Sequence, residues 1–83
     1  MKHLVIVDDE PVILQILNAV FEDGPYRVTT CATGVQAEQV MRGEGVDLLL
    51  TDKNLPDISG MELLRIAKEL NELADVIIND NTV

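Results

Sequence analysis

Two short aliphatic runs, each ending in acid, constrain this chain more than any other feature. Leu4-Val5-Ile6-Val7 leads directly into Asp8 and Asp9, and Val46-Asp47-Leu48-Leu49-Leu50-Thr51 leads into Asp52, with Asn54 just beyond. Apolar runs of this length, bounded by polar turns, read as buried parallel strands. If the two strands are neighbours in one sheet, three carboxylates meet at its C-terminal edge. Carboxylates crowded in this way repel one another, and a hard divalent cation bound through oxygen relieves them. The cluster is therefore a candidate magnesium site.

Helical patterns fill the spaces between strands. Residues 3–7 read as the first strand and Asp9-Glu10-Pro11 as a helix start, since Pro suits the first helical position. Val12, Ile13, Ile16, Leu17 and Val20 then recur at helical spacing, and Leu14 and Phe21 widen the stripe that should be buried. Asp23-Gly24-Pro25 ends that helix, and Tyr26 to Cys31 is rich in strand formers. Thr33 caps a helix over 34–42 whose buried side is Val35, Val40 and Met41, and Gly43-Glu44-Gly45 breaks it. Residues 46–51 form the third strand, and a polar loop runs from Asp52 to Ile58. Ser59-Gly60-Met61-Glu62 then has the capping-box pattern. The helix it opens carries Leu63, Leu64, Ile66, Ala67, Leu70 and Leu73 on one side, and Ala74 to Ile78 reads as a fourth strand. A βαβαβαβ order without repeat or linker calls for a parallel sheet with right-handed crossovers. A fourth strand at the sheet edge leaves one rim of backbone groups unpaired, a surface through which two copies could pair.

Composition narrows the partners. Eighty-three residues make one small domain with an aliphatic core, Phe21 and Tyr26 being its aromatics. A net charge of −9 argues against direct contact with nucleic acid, which needs clustered Lys and Arg, and against an anionic membrane surface. Cys31 is the single cysteine, so no intrachain disulfide forms, in keeping with a reducing compartment. The N-terminal apolar run is too short for a signal-peptide core or a membrane span, and the chain reads as cytoplasmic.

In a doubly wound sheet, ligands sit beyond the carboxyl ends of the strands, where strand order reverses. A carboxylate such as Asp52 can accept a phosphoryl group there to give an acyl phosphate. Asp8-Asp9, then Asp52 with Pro56 and Gly60 following at fixed spacing, closely resembles the receiver domain of bacterial two-component response regulators. The stretch TDKNLPDISGMELL is similar to that family's phosphorylation loop and following helix, and the resemblance runs from residue 3 to about residue 78. It implies a flavodoxin-like, CheY-like parallel sheet of strand order 2-1-3-4, here a (βα)₃β core truncated after strand four. Helix four, strand five and helix five would then be absent from a receiver domain spanning 1–83.

The resemblance also implies roles. Asp52 would be the phosphoacceptor. Asp9 and Asp52 would bind Mg²⁺ directly and Asp8 directly or through water, with the backbone carbonyl of Asn54 completing the protein ligands. The donor would be a phosphohistidine on a sensor histidine kinase or a small acyl phosphate, and the output would be modulation of a partner protein. The family's switch Thr or Ser at the end of strand four falls on Asp80, or on Asn79 if the strand ends earlier, while Thr82 would serve only after a shift of the loop. An anionic Asp80 would oppose a phosphoryl group. With no fifth strand read here, the family's Lys at the end of that strand would have no counterpart, and Lys53 stands at a different position after the acceptor.

Plainer readings accompany these. Asp8 and Asp9 could cap the first helix, Asn54 and Asp57 could be turn formers, and Thr82 a tail residue. His3 reads as exposed and inert, and Cys31 as a small buried hydrophobe. A calcium loop starting at Asp52 fails, because Asp57 stands where its turn glycine belongs and Leu63 where its bidentate Glu belongs. Whether the chain turns over a substrate is left open. The resemblance implies a phosphoacceptor signalling domain. The alternatives are a non-switching receiver that dimerises or binds partners through its strand-four edge, and a small Asp-dependent phosphatase.

Overall fold

The computed structural model describes residues 1–79, which form seven alternating elements. They are β1 (Lys2–Val7), α1 (Pro11–Phe21), β2 (Tyr26–Cys31), α2 (Gly34–Glu44), β3 (Leu48–Asp52), α3 (Gly60–Leu70) and β4 (Asp75–Asn79). The strands form one parallel sheet of order β2-β1-β3-β4, as the sequence leads one to expect. β3 begins at Leu48 and runs through Asp52, so the acid read as a loop residue is the last residue of the strand.

Side-chain alternation along β1 divides the core between the two sheet faces. Val5 and Val7 join Leu49, Ala37, Met41, Leu63, Ile66 and Ala67 in a cluster between the sheet and the α2–α3 pair. Leu4 and Ile6 are equally inaccessible and lie on the opposite face, where α1 packs on β1 and β2. Cys31 is buried in the first cluster, and its burial pushes the thiol up to about 11, so it is a small inert hydrophobe.

The expected apolar stripes of all three helices need correction. No residue of α1 is fully buried, and Val12, Ile16 and Val20 are 63%, 54% and 65% exposed. The helix rests on the sheet through the half-buried Ile13, Leu14, Leu17 and Phe21. Among the described residues α1 packs on strands and on no other helix, so nothing covers the outer margin of its stripe. In α2 the buried residues are Gly34, Ala37 and Met41, while Val35 is exposed. In α3 the stripe ends with the helix, and Leu73 lies past Leu70 in solvent.

His3 was expected to be exposed; it is buried and fully engaged. Its backbone N–H donates to Asp47 Oδ2 at 2.7 Å, and ring Nδ1 lies 2.7 Å from the Gly45 carbonyl oxygen. A carbonyl can only accept, so Nδ1 carries a proton, and Thr29 Oγ1 bonds the other ring nitrogen at 2.8 Å. Strand pairing on both sides of β1 encloses the ring, which one strand's sequence does not reveal.

Helix ends follow the sequence closely. Pro11 opens α1, Thr33 accepts from the Gln36 N–H at 3.1 Å, and Gly45 closes α2 at φ 80°. Ser59 accepts from the Glu62 N–H at 3.1 Å, but the Glu62 carboxylate is taken by Arg65 at 2.5 Å, so one arm of the capping box is formed.

Truncating Leu49, which is inaccessible at the sheet centre, should cost about 2–5 kcal/mol in Leu49→Ala. Ile16→Ala, on the open side of α1, should stay within about 0.5 kcal/mol. Urea unfolding followed by circular dichroism distinguishes the two.

Candidate metal site

The β1–β3 register builds the site. Val7 pairs with Thr51, so the next residues along these parallel strands, Asp8 and Asp52, emerge side by side, with Asp9 beyond. One carboxylate oxygen from each of Asp8, Asp9 and Asp52 lies within 4.8 Å of the others. Asp8 is buried, Asp52 half-buried and Asp9 exposed, so the cluster opens to solvent on one side.

Helix capping does not account for the acidic pair. The N-cap of α1 is Glu10, and it makes no side-chain cap bond. Asp8 Oδ1 accepts from the Glu10 N–H at 2.9 Å, and the Asp8 N–H donates to the Cys31 carbonyl at 3.1 Å, extending the β1–β2 ladder. Burial raises the Asp8 carboxyl above its usual value of 3.8; the Glu10 N–H opposes this, and the charges of Asp52 and Asp9 raise it further. Oxygen donors of one charge, close together and partly desolvated, fit a hard divalent cation, which would remove the repulsion they otherwise suffer.

The loop after Asp52 is folded back against its own strand. Thr51 Oγ1 donates to the Asp52 carbonyl at 2.9 Å, the Asn54 N–H approaches Asp52 Oδ1 at 3.3 Å, and the Gly60 N–H donates to the Lys53 carbonyl at 2.9 Å. A Cβ at Gly60 would fall 2.4 Å from the Asp52 carbonyl oxygen and 2.9 Å from Lys53 Cα, so this closure requires glycine. At the far edge Asn79 pairs with Asp52, and its carbonyl accepts from the Lys53 N–H at 3.1 Å. Asp80 and Thr82, the candidate switch positions, lie outside the described residues.

Asp57 is more than a turn former. Its carboxylate accepts from the Gly34 N–H at 3.0 Å and the Val35 N–H at 2.9 Å, joining the loop to the start of α2. No local pattern announces this, because the partners lie 22 and 23 residues away in sequence.

Comparison with known proteins agrees with this arrangement. The family model for the response regulator receiver domain matches residues 4–80. The TorCAD operon transcriptional regulatory protein TorR of Escherichia coli K12 is 37% identical over 76 residues, covering 92% of this chain and 33% of its own length. A CheY-like receiver domain protein from Methanospirillum hungatei superposes with a TM-score of 0.90 at 31% identity, covering all of this chain and 66% of that one. The response regulator TrrA of Thermotoga maritima, solved in complex with Mg²⁺–BeF, superposes at 0.83 with 29% identity over 94% of this chain and 68% of that one. The chain belongs to the response regulator receiver domain family of two-component systems. It spans about a third of TorR and about two thirds of these solved receiver chains.

The raised Asp8 carboxyl sets a sign for stability. The folded form holds that proton more tightly than the unfolded chain, so this contribution is complete below 3.8 and is lost as pH rises through the raised value. At neutral pH the ionised cluster therefore weakens the fold. Asp8→Asn should raise the metal-free melting temperature at pH 7 while reducing the further rise produced by Mg²⁺; calorimetry with and without Mg²⁺ checks both.

Proposed function

We propose that this receiver domain accepts a phosphoryl group on Asp52 from the phosphohistidine of a sensor histidine kinase, or from a small acyl phosphate, and passes the signal to a partner protein. The observation that carries the reading is the convergence of Asp8, Asp9 and Asp52 at the C-terminal edge of the sheet. Asp9 and Asp52 would hold Mg²⁺ directly, Asp8 directly or through water, and the Asn54 carbonyl would complete the set. When bound, the ion neutralises charge on the transferring group, without which an anionic acceptor and an anionic donor repel.

The chain's own residues supply the rest. An Asp52 carboxylate oxygen attacks phosphorus in line, an O–P bond forms, and the P–N bond to the donor imidazole breaks as that nitrogen takes up a proton. β3 holds the Asp52 backbone, and the Asn54 N–H helps orient its carboxylate. The TrrA complex with Mg²⁺–BeF supports the choice of ion. Among the described residues no helix is long and apolar enough to cross a membrane. A phosphohistidine donor on a sensor kinase suits a cytoplasmic location for this chain. The net charge of −9 supports a protein partner over direct nucleic-acid contact. A dimerisation module that does not switch is not favoured, because the family match takes in the whole acidic site.

Incubation with acetyl phosphate and Mg²⁺ should add one phosphoryl group by intact mass, placed on Asp52 by peptide mapping. Asp52→Asn and metal-free samples should gain none. A wild-type chain that stays unmodified would sink this reading.

A further inference from the structure

We propose that Asp57 is a positioning residue for the acidic site, its carboxylate clamping the loop between Asp52 and α3 to the start of α2. The inference rests on the phosphoacceptor reading above and adds to it a support for the Asn54 segment that lies outside the carboxylate cluster.

The clamp is visible in how the first turn of α2 disposes of its free N–H groups. A helix start leaves four donors without intrahelical partners. Thr33 Oγ1 takes the Gln36 N–H, and α2 has no acidic residue in its first turn. The Gly34 and Val35 N–H groups are taken by Asp57, a residue of another element, at 3.0 and 2.9 Å. Both carboxylate oxygens are used, one for each donor. The Val35 N–H above all, with those of Ile58, Gly34 and Asp57 itself, holds the Asp57 carboxyl below the usual carboxylate range, against the opposing effect of desolvation.

A second observation shows how closely the two elements approach. A Cβ at Gly34 would lie 2.8 Å from Ile58 Cβ, 3.1 Å from the Ile58 carbonyl oxygen and 3.2 Å from Asp57 Oδ1. The loop and the helix start therefore meet with no room for a side chain between them. On either side of this joint the loop is secured by Leu55 and Ile58, packed against the core, and by the Gly60–Lys53 bond. Asp57 is the polar tether among these. It binds the loop carrying Asn54 to a helix whose Ala37 and Met41 are themselves buried. If Asp57 is removed, the segment that must present a carbonyl to a cation keeps Leu55, Ile58, its bonds to Asp52 and Asn79 and the Gly60–Lys53 bond, but loses its hydrogen bonds to α2. Metal affinity depends on such outer partners because they fix the ligands in place before binding.

The test uses the ¹⁵N-labelled chain and reads two quantities for each variant. These are amide exchange at Gly34 and Val35, and the Mg²⁺ dissociation constant from shifts of the Asp8, Asp9 and Asp52 amides. Asp57→Ala should expose both amides to exchange and weaken Mg²⁺ about tenfold, the low end for outer partners of metal sites. Asp57→Asn, which keeps one acceptor oxygen, should fall between, and it carries the test alone if the alanine variant does not fold. Thr33→Ala loosens the same helix end without touching the loop and should leave Mg²⁺ affinity at the wild-type value. Wild-type affinity in Asp57→Ala despite exposed amides would reduce Asp57 to a cap and overturn the inference. Equal weakening by Thr33→Ala would also overturn it, since fraying alone would then suffice. A wild-type chain with no response to Mg²⁺ overturns the site reading itself, and the inference falls with it.

Discussion

The pairing of β1 with β3 is the constraint on which everything else depends. It places Asp8 beside Asp52, two carboxylates that would separate if their backbones were free to move. An apolar ladder opposes that repulsion. Leu4, Val5, Ile6 and Val7 are all but inaccessible, as is Leu49 on the neighbouring strand. Each such side chain contributes roughly 1.5–3 kcal/mol by leaving water. The repulsion itself is moderated by solvent on the open side of the cluster, where Asp9 is exposed. Strand burial therefore holds the acids together without any contribution from the acids themselves.

A strand end fixes position well, and the segment beyond Asp52 has supports of its own. That loop is held by features of different physical kinds. Gly60 permits a backbone contact that no side chain could survive, Leu55 and Ile58 reach the core, and Asp57 bonds the N–H groups at the start of α2. The raised carboxyl of Asp8 and the lowered one of Asp57 express this division. Asp8 is desolvated and crowded by like charge, which costs stability at neutral pH and is the repulsion that the proposed cation would relieve. Asp57 faces backbone donors and stabilises the fold when ionised.

Much of the architecture was legible because its signals are local. Strand β2 falls on the residues that strand formers mark, Pro11 and Thr33 start their helices, and alternation calls for a parallel sheet, whose order β2-β1-β3-β4 is the one the receiver-domain resemblance implies. The failures share one cause. Val12, Ile16 and Val20 have helical spacing, but spacing states which residues lie on one face and not whether another element covers it. Leu73 continues a stripe after its helix has ended. His3 looks like a polar strand start and is enclosed by Thr29, Gly45 and Asp47 from distant segments.

The class of fold, the strands that carry the acids, and Asp8, Asp9 and Asp52 as the candidate site were all readable in the chain before folding. Those properties are written in periodicity, in turn residues and in the spacing around one aspartate, all within short windows. The fold was needed to see that α1 keeps an apolar margin uncovered among the described residues, that His3 is buried, and that Asp57 serves α2 as well as its own turn. The last two depend on partners far along the chain, 42 and 26 residues away for the His3 ring and 23 and 22 for Asp57. Local pattern carries no information about such a meeting.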